Sequence, residues 1–197
     1  MPMTSKGFVA LLRGINVGGN KRVPMAELRA LAEGLGWRQV ATFIQSGNLV
    51  FVSDGSSAAL EADLERELAR HFGFPVEVIV RGAAAWRRYA AGTPFSDAQE
   101  ARPQRVLLGL SKRPPTPDAA ERLKGYCKAG ERIELADDAI WIDFAAGIGK
   151  SKLSPAVLDR AVGSTVTARN WTTVQALATL LDAPPAAPVA KPRASRR

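Results

Sequence analysis

The chain has 197 residues, 46% of them hydrophobic, with 27 Lys+Arg against 19 Asp+Glu and a formal net charge of +8. That length allows one domain or two small ones, and the apolar fraction excludes wholesale disorder and fibrous architectures. One cysteine, Cys127, excludes a disulfide framework or cysteine zinc cluster, and any imidazole base has to be His71.

Phe8 to Leu12 reads as a buried strand that Arg13 ends, a run too short for a signal-peptide core. Nowhere is there the stretch of ~20 apolar residues that a membrane span requires. The expectation is a soluble cytoplasmic protein with no membrane partner. A glycine-containing loop from Gly14 to Val23 leads into a helix started by Pro24, with Met25, Leu28, Leu31, Ala32 and Leu35 at helical spacing. Val40 to Gln45 and Leu49 to Val52 are β-rich runs joined at Gln45-Ser46-Gly47-Asn48, a tight hairpin signal. Leu60, Leu64 and Leu68 mark a second helix, at whose end His71 reads as a surface residue. Val76 to Val80 supplies a fourth strand. The order is β-α-β-β-α-β, the ferredoxin-like arrangement.

Gly82 to Arg102 reads as a connector with one short helix around Trp86 and Tyr89. The element order then recurs: a strand at Val106–Leu110, a helix at Asp118–Lys128, strands at Arg132–Leu135 and Ile140–Phe144, a helix at Pro155–Val162 and a strand at Thr165–Ala168. On the first helix of this second half Cys127 reads as a small buried hydrophobe. A last helix starts at Trp171. The fold class expected is α+β, with two tandem ferredoxin-like halves, residues 1–81 and 104–183, a helical connector at 82–103 and a disordered basic tail at 184–197. That tail holds Lys191, Arg193, Arg196 and Arg197, half of the net charge.

In the ferredoxin-like order the first strand–helix loop and the second–third hairpin leave the same end of the sheet. Two polar segments far apart in sequence are therefore expected to be neighbours. The first, Arg13-Gly-Ile-Asn-Val-Gly-Gly-Asn-Lys-Arg22, can turn backbone N–H groups of Gly18 and Gly19 toward an anion, with Arg13, Lys21 and Arg22 adding charge and Asn16 and Asn20 neutral contacts. It is not a Walker loop, because Asn20 stands where the lysine belongs. The second is the hairpin with Gln45, Ser46 and Asn48. Two further candidates are the Gly147–Lys152 loop, with Lys150, Ser151 and Lys152, and the Arg169-Asn-Trp171 segment, where Asn170 suits a helix cap and Trp171 a core anchor. Three acid-free segments, 13–22, 145–153 and 163–173, hold six of the cations outside the tail.

These residues predict a small anionic, phosphorylated ligand held by the Arg13–Arg22 loop and the hairpin, with no cofactor, no metal and no assigned catalytic residue. Two alternatives stay open: a sequence-indifferent RNA or DNA binder using the basic loops and tail, and an enzyme using lysine or carboxylate chemistry in the same cleft. Base stacking has few candidates, since Phe8 and Phe51 are the only aromatics on the relevant strands of the first half and Trp141 is read as buried between the halves. Nothing in the sequence fixes an oligomeric state.

Arg13-Gly-Ile-Asn-Val-Gly-Gly-Asn, Ile44-Gln-Ser-Gly-Asn48 and Arg169-Asn-Trp171 resemble the bacterial domain-of-unknown-function 1697 family, over roughly residues 6 to 183. The resemblance implies an α+β fold with ferredoxin-like halves and carries no activity with it.

Overall fold

The computed structural model describes residues 6–183, so the expected tail at 184–197 lies outside the described residues. The chain is α+β, with two four-stranded antiparallel sheets and seven α-helices among the described residues. The first sheet is built from β1 (Lys6–Leu12), β2 (Arg38–Phe43), β3 (Asn48–Ser53) and β4 (Val78–Gly82), in the order β2-β3-β1-β4. On it lie α1 (Met25–Gly34) and α2 (Ser57–Phe72). Two helices, α3 (Ala83–Ala90) and α4 (Ser96–Ala101), lead to the second sheet. There β5 (Val106–Ser111), β6 (Arg132–Ala136), β7 (Ala139–Asp143) and β8 (Val166–Asn170) repeat the arrangement as β6-β7-β5-β8. The helices α5 (Ala119–Lys124) and α6 (Pro155–Val162) accompany it, and α7 (Trp171–Asp182) ends the described chain.

The apolar runs fill three layers. Phe8, Ala10 and Leu12 of β1 join Leu28 and Ala32 of α1 and Leu60, Leu64 and Leu68 of α2 in an outer core. On the other face of β1, Val9 and Leu11 join Leu108, Leu110 and Trp141 in a central core that both sheets share. Burial on both faces explains why β1 is continuously apolar instead of alternating. Leu123, Ile140, Ile142, Leu158 and Val162 form the third layer behind the second sheet. Trp86, Trp141 and Trp171 all belong to the middle layer, and full burial of one such side chain contributes roughly 1.5–3 kcal/mol. That layer makes the two sheets one folding unit.

Two expectations need correction. The connector holds two helices, and it is structural: Trp86, Tyr89, Phe95 and Ala98 all enter the central core. Six residues with one buried alanine are too few for α4 to show a helical period in sequence. The helix expected over 118–128 stops at Lys124, where Gly125, a poor helix former, follows. Cys127 therefore lies beyond the helix, where its Sγ donates to the Leu123 carbonyl at 3.5 Å. No helix among the described residues is long and apolar enough to cross a membrane.

Candidate functional site

The Arg13–Arg22 loop and the β2–β3 hairpin do meet at one end of the first sheet. Leu12 N donates to the Gly47 carbonyl at 2.8 Å. Asn16 fastens the rest. Its Nδ2 donates to the carbonyls of Val23 (2.9 Å) and Gln45 (2.8 Å), and its Oδ1 accepts from Val23 N at 2.9 Å. All of its amide's polar atoms are thus engaged by backbone, so Asn16 builds the loop and does not orient a ligand. Its positive φ of 54°, tolerable for asparagine, reverses the chain after buried Ile15.

Within the loop a smaller hairpin forms. Asn16 N donates to the Lys21 carbonyl and Asn20 N to that of Val17, and Val17 pairs with Asn20. Gly18 (φ 62°) and Gly19 (φ 78°) form its tip, meeting the type I′ requirement for positive φ at both central residues. Val17, Gly18, Gly19, Asn20, Lys21 and Arg22 are all exposed. Gly47 has a stricter demand. At φ 76°, a Cβ there would lie 2.6 Å from Ile15 Cδ1 and 2.8 Å from Leu12 Cβ. Gly47→Ala is expected to cost about 1–3 kcal/mol from strain and overpacking, read as a lower midpoint in urea with unchanged slope.

The cations differ in how far they are occupied. Arg13 Nη2 reaches Asp159 at 2.8 Å and its Nη1 reaches Glu77 at a long 3.4 Å. Lys21 Nζ donates once, to the Pro75 carbonyl at 2.8 Å, leaving two of its N–H groups for other partners. Arg22 meets no acceptor among the described residues. Arg13, Gly14, Lys21, Pro75 and Glu77 line a cleft of about 400 Å³.

Arg169 stands opposite Leu108, on the face of the second sheet that carries Trp141, and so points into the layer between the sheets. It is buried, and among the described residues no carboxylate meets it. Its Nε donates to Asn48 Oδ1 (2.5 Å) and its Nη2 to the carbonyls of Leu12 (2.7 Å), Ser46 (3.0 Å) and Gly47 (3.3 Å). Nη1 closes on Thr167 Oγ1 and the Ala168 carbonyl. Burial alone pulls its pKa down to about 10, which still leaves it charged at neutral pH. Asn48, itself fully buried, donates from Nδ2 to the Phe43 carbonyl and to Ser46 Oγ. One guanidinium from the second half thus fixes the end of β1 and the hairpin of the first.

The remaining candidate residues have plainer places. Asn170 caps α7 by accepting from Thr173 N at 2.9 Å, and Trp171 packs 6.0 Å from Trp141 in the central core. In the Gly147–Lys152 loop, Lys150 and Lys152 are exposed, and Ser151 Oγ bonds Glu131. That loop shares no hydrogen bond or ion pair with the Arg13–Arg22 loop among the described residues. Gln45 points outward beside Ile44, whose φ of 48° is rare for a β-branched residue and whose side chain is half exposed. Phe8 and Phe51 stack in the outer core with Trp37, and Trp141 lies between the sheets, so none of them offers a base a surface.

Sequence reasoning misses the carboxylates that hold these parts. Asp159 accepts Val166 N at 2.8 Å as well as Arg13. Asp138, in the turn between β6 and β7, accepts from Arg81 Nε at 3.0 Å and from the Tyr89 hydroxyl. Asp143 is fully buried between Arg102 and Arg132. Only Asp143, in alternation with buried Trp141 along β7, carries a signal: an inward carboxylate demands cationic partners.

The architecture defines an α+β protein in which two sheets of like strand order clasp one exposed, glycine-tipped basic loop. The chain belongs to the family described as "Protein of unknown function (DUF1697)", whose model matches residues 5–141. The first two motifs lie within that span and Arg169-Asn-Trp171 lies beyond it. A solved structure, a conserved bacterial protein SP0830 from Streptococcus pneumoniae, is similar at 23% identity and a TM-score of 0.65. The likeness covers 90% of this chain and 99% of that one, and is a likeness of fold. No curated protein matches the chain.

Proposed function

We propose that the chain is a cytoplasmic protein that binds a small phosphorylated ligand at the tip of the Arg13–Arg22 loop and in the cleft below it. The observation that carries this reading is the division of labour within the loop. Asn16, Asn48 and Arg169 hold the two segments, while Gly18, Gly19 and Arg22 face solvent and Lys21, bonded once to the Pro75 carbonyl, keeps two N–H groups for a ligand. A loop held in place before binding loses little entropy when an anion arrives. Arg13 and Lys21 supply charge within the cleft, Gln45 adds an amide from the hairpin, and Glu77 on the rim disfavours anions placed against Arg13. Each half is read as ferredoxin-like on its shared strand order, which sets the loop and hairpin side by side.

The test is a thermal-shift screen of nucleotides and sugar phosphates. Ligand at ~100 times its dissociation constant adds about 2.7 kcal/mol, and each kcal/mol moves a domain of this size by ~2–4 °C. The double variant Lys21→Ala/Arg22→Ala is expected to abolish the shift at a cost in stability of about 1 kcal/mol or less, the exposed bond from Lys21 to the Pro75 carbonyl. A shift that survives the double variant rejects the site. Nucleic acid remains as a reading from charge alone, since the aromatic groups that would stack on bases are buried.

A further inference from the structure

We propose a second anion site, independent of the loop, in a notch of about 560 Å³ where the connector meets the second sheet. Its walls are Ala101, Arg102, Pro103, Gln104, Arg105 and Ala145. The ligand class is a small oxyanion, a carboxylate or a phosphate, bound by two guanidinium groups that the protein has already oriented.

Arg102 is fixed from behind. Its Nε and Nη2 donate to the two oxygens of Asp143 at 3.0 and 2.6 Å. Asp143 cannot turn away, because it has no solvent exposure and its second cation, Arg132, holds it at 3.0 and 2.9 Å. Arg132 is held in turn by Asp97 at 2.8 Å and lies 4.8 Å from the centre of the Phe95 ring. Two arginines and two aspartates therefore neutralise one another and form a rigid base. Arg105 stands outside that balance. Its Nη1 donates to the Ala145 carbonyl at 2.8 Å, and its own carbonyl accepts from Phe144 N at 2.9 Å, which ties it to the end of β7.

Among the described residues no protein acceptor meets Arg102 Nη1, Arg105 Nε or Nη2, or the side-chain amide of Gln104. These donors belong to the walls of one concavity whose other walls are apolar. Fixed forks with free N–H groups match a planar carboxylate or a phosphate. Beyond Asp143 itself, the one other carboxylate within 4 Å of Arg102 among the described residues is Asp97, 3.9 Å from Nη2, the nitrogen already committed to Asp143. The uncompensated cation of the notch is Arg105.

The experiment is calorimetric titration of the full chain with inorganic phosphate and with malonate at constant ionic strength, in the Lys21→Ala/Arg22→Ala background so that the loop is silent. Saturable binding is expected, and adding Arg105→Ala is expected to weaken it at least about tenfold, the loss of one charge-assisted pair. Arg105 is exposed and makes one side-chain bond, so that variant folds, which circular dichroism checks. Tighter malonate assigns the notch to carboxylates and tighter phosphate to phosphorylated ligands. Absence of saturable binding, or binding unmoved by Arg105→Ala, overturns the proposal while leaving the loop reading intact.

Discussion

Arg169→Ala is expected to lower stability by about 3 kcal/mol or more, shifting the melting temperature by ~6–12 °C for a domain of this size. The sign is not obvious, since the residue is a buried cation that no carboxylate meets among the described residues, and its removal relieves a desolvation cost. Two considerations decide it. Every one of the five guanidinium N–H groups has an acceptor, so little of the desolvation cost remains to be relieved. Truncation, by contrast, removes the Arg169 donor from Asn48 Oδ1 and the Leu12 carbonyl, both buried, and from the partly buried Ser46 carbonyl, and each buried unsatisfied group costs ~1–3 kcal/mol. Arg169→Lys keeps the charge but not the planar fork, and is expected to recover less than half of the loss. Urea unfolding of the three proteins reads this directly. Equal stability of wild type and Arg169→Ala would show that the clasp between the halves contributes nothing.

The second large effect is expected at Asp143. Its replacement by asparagine leaves Arg102 and Arg132 without their shared carboxylate at the junction of connector and sheet. Removing one partner of a buried pair costs roughly 3–5 kcal/mol, and here about 2–3 kcal/mol is expected because both arginines are partly exposed and can rehydrate. The effect carries a pH signature. Burial pushes the Asp143 pKa up, but the hydrogen bonds from Arg102 and Arg132 outweigh it and hold the group below its ordinary 3.8. A carboxylate with a depressed pKa contributes stability above 3.8 and loses it as the pH falls through the lower folded value. The gap between wild type and Asp143→Asn is therefore expected to be full at neutral pH and to close in acid. A gap independent of pH would mean that the variant acts through packing and not through charge.

Much of this architecture is legible in the amino-acid sequence. The continuous Phe8–Leu12 run, the glycine of the hairpin and the i,i+4 leucines of α2 each carry a local physical signal, and together they imply the element order of the first half. The opposite facing of Trp141 and Ile140 likewise implies the buried layer between the sheets. What stays hidden depends on tertiary partners. Asn16, Ser46 and Asn48 have the chemistry of ligand contacts, yet their polar atoms close on the protein itself. Residue type cannot tell a ligand from a carbonyl. Ile44 at positive φ is hidden for the opposite reason, because a β-branched residue argues for a strand and only the clamped hairpin forces it out of one. Arg169 stands out in sequence because helix capping does not need it. What does need it, three carbonyls and an amide from the other half, is set by a meeting of chain segments over a hundred residues apart.

Under the proposed function, Gly18, Gly19, Lys21 and Arg22 are a receptor surface and the residues behind them a frame. Amide resonances followed during titration of the full chain with pyrophosphate test that division most directly. Saturating shifts are expected at Gly18, Gly19, Lys21 and Arg22, with smaller ones at Gln45 and Ser46, and none in Lys21→Ala/Arg22→Ala. Unmoved resonances at those four residues, at concentrations that saturate binding elsewhere on the chain, would contradict it.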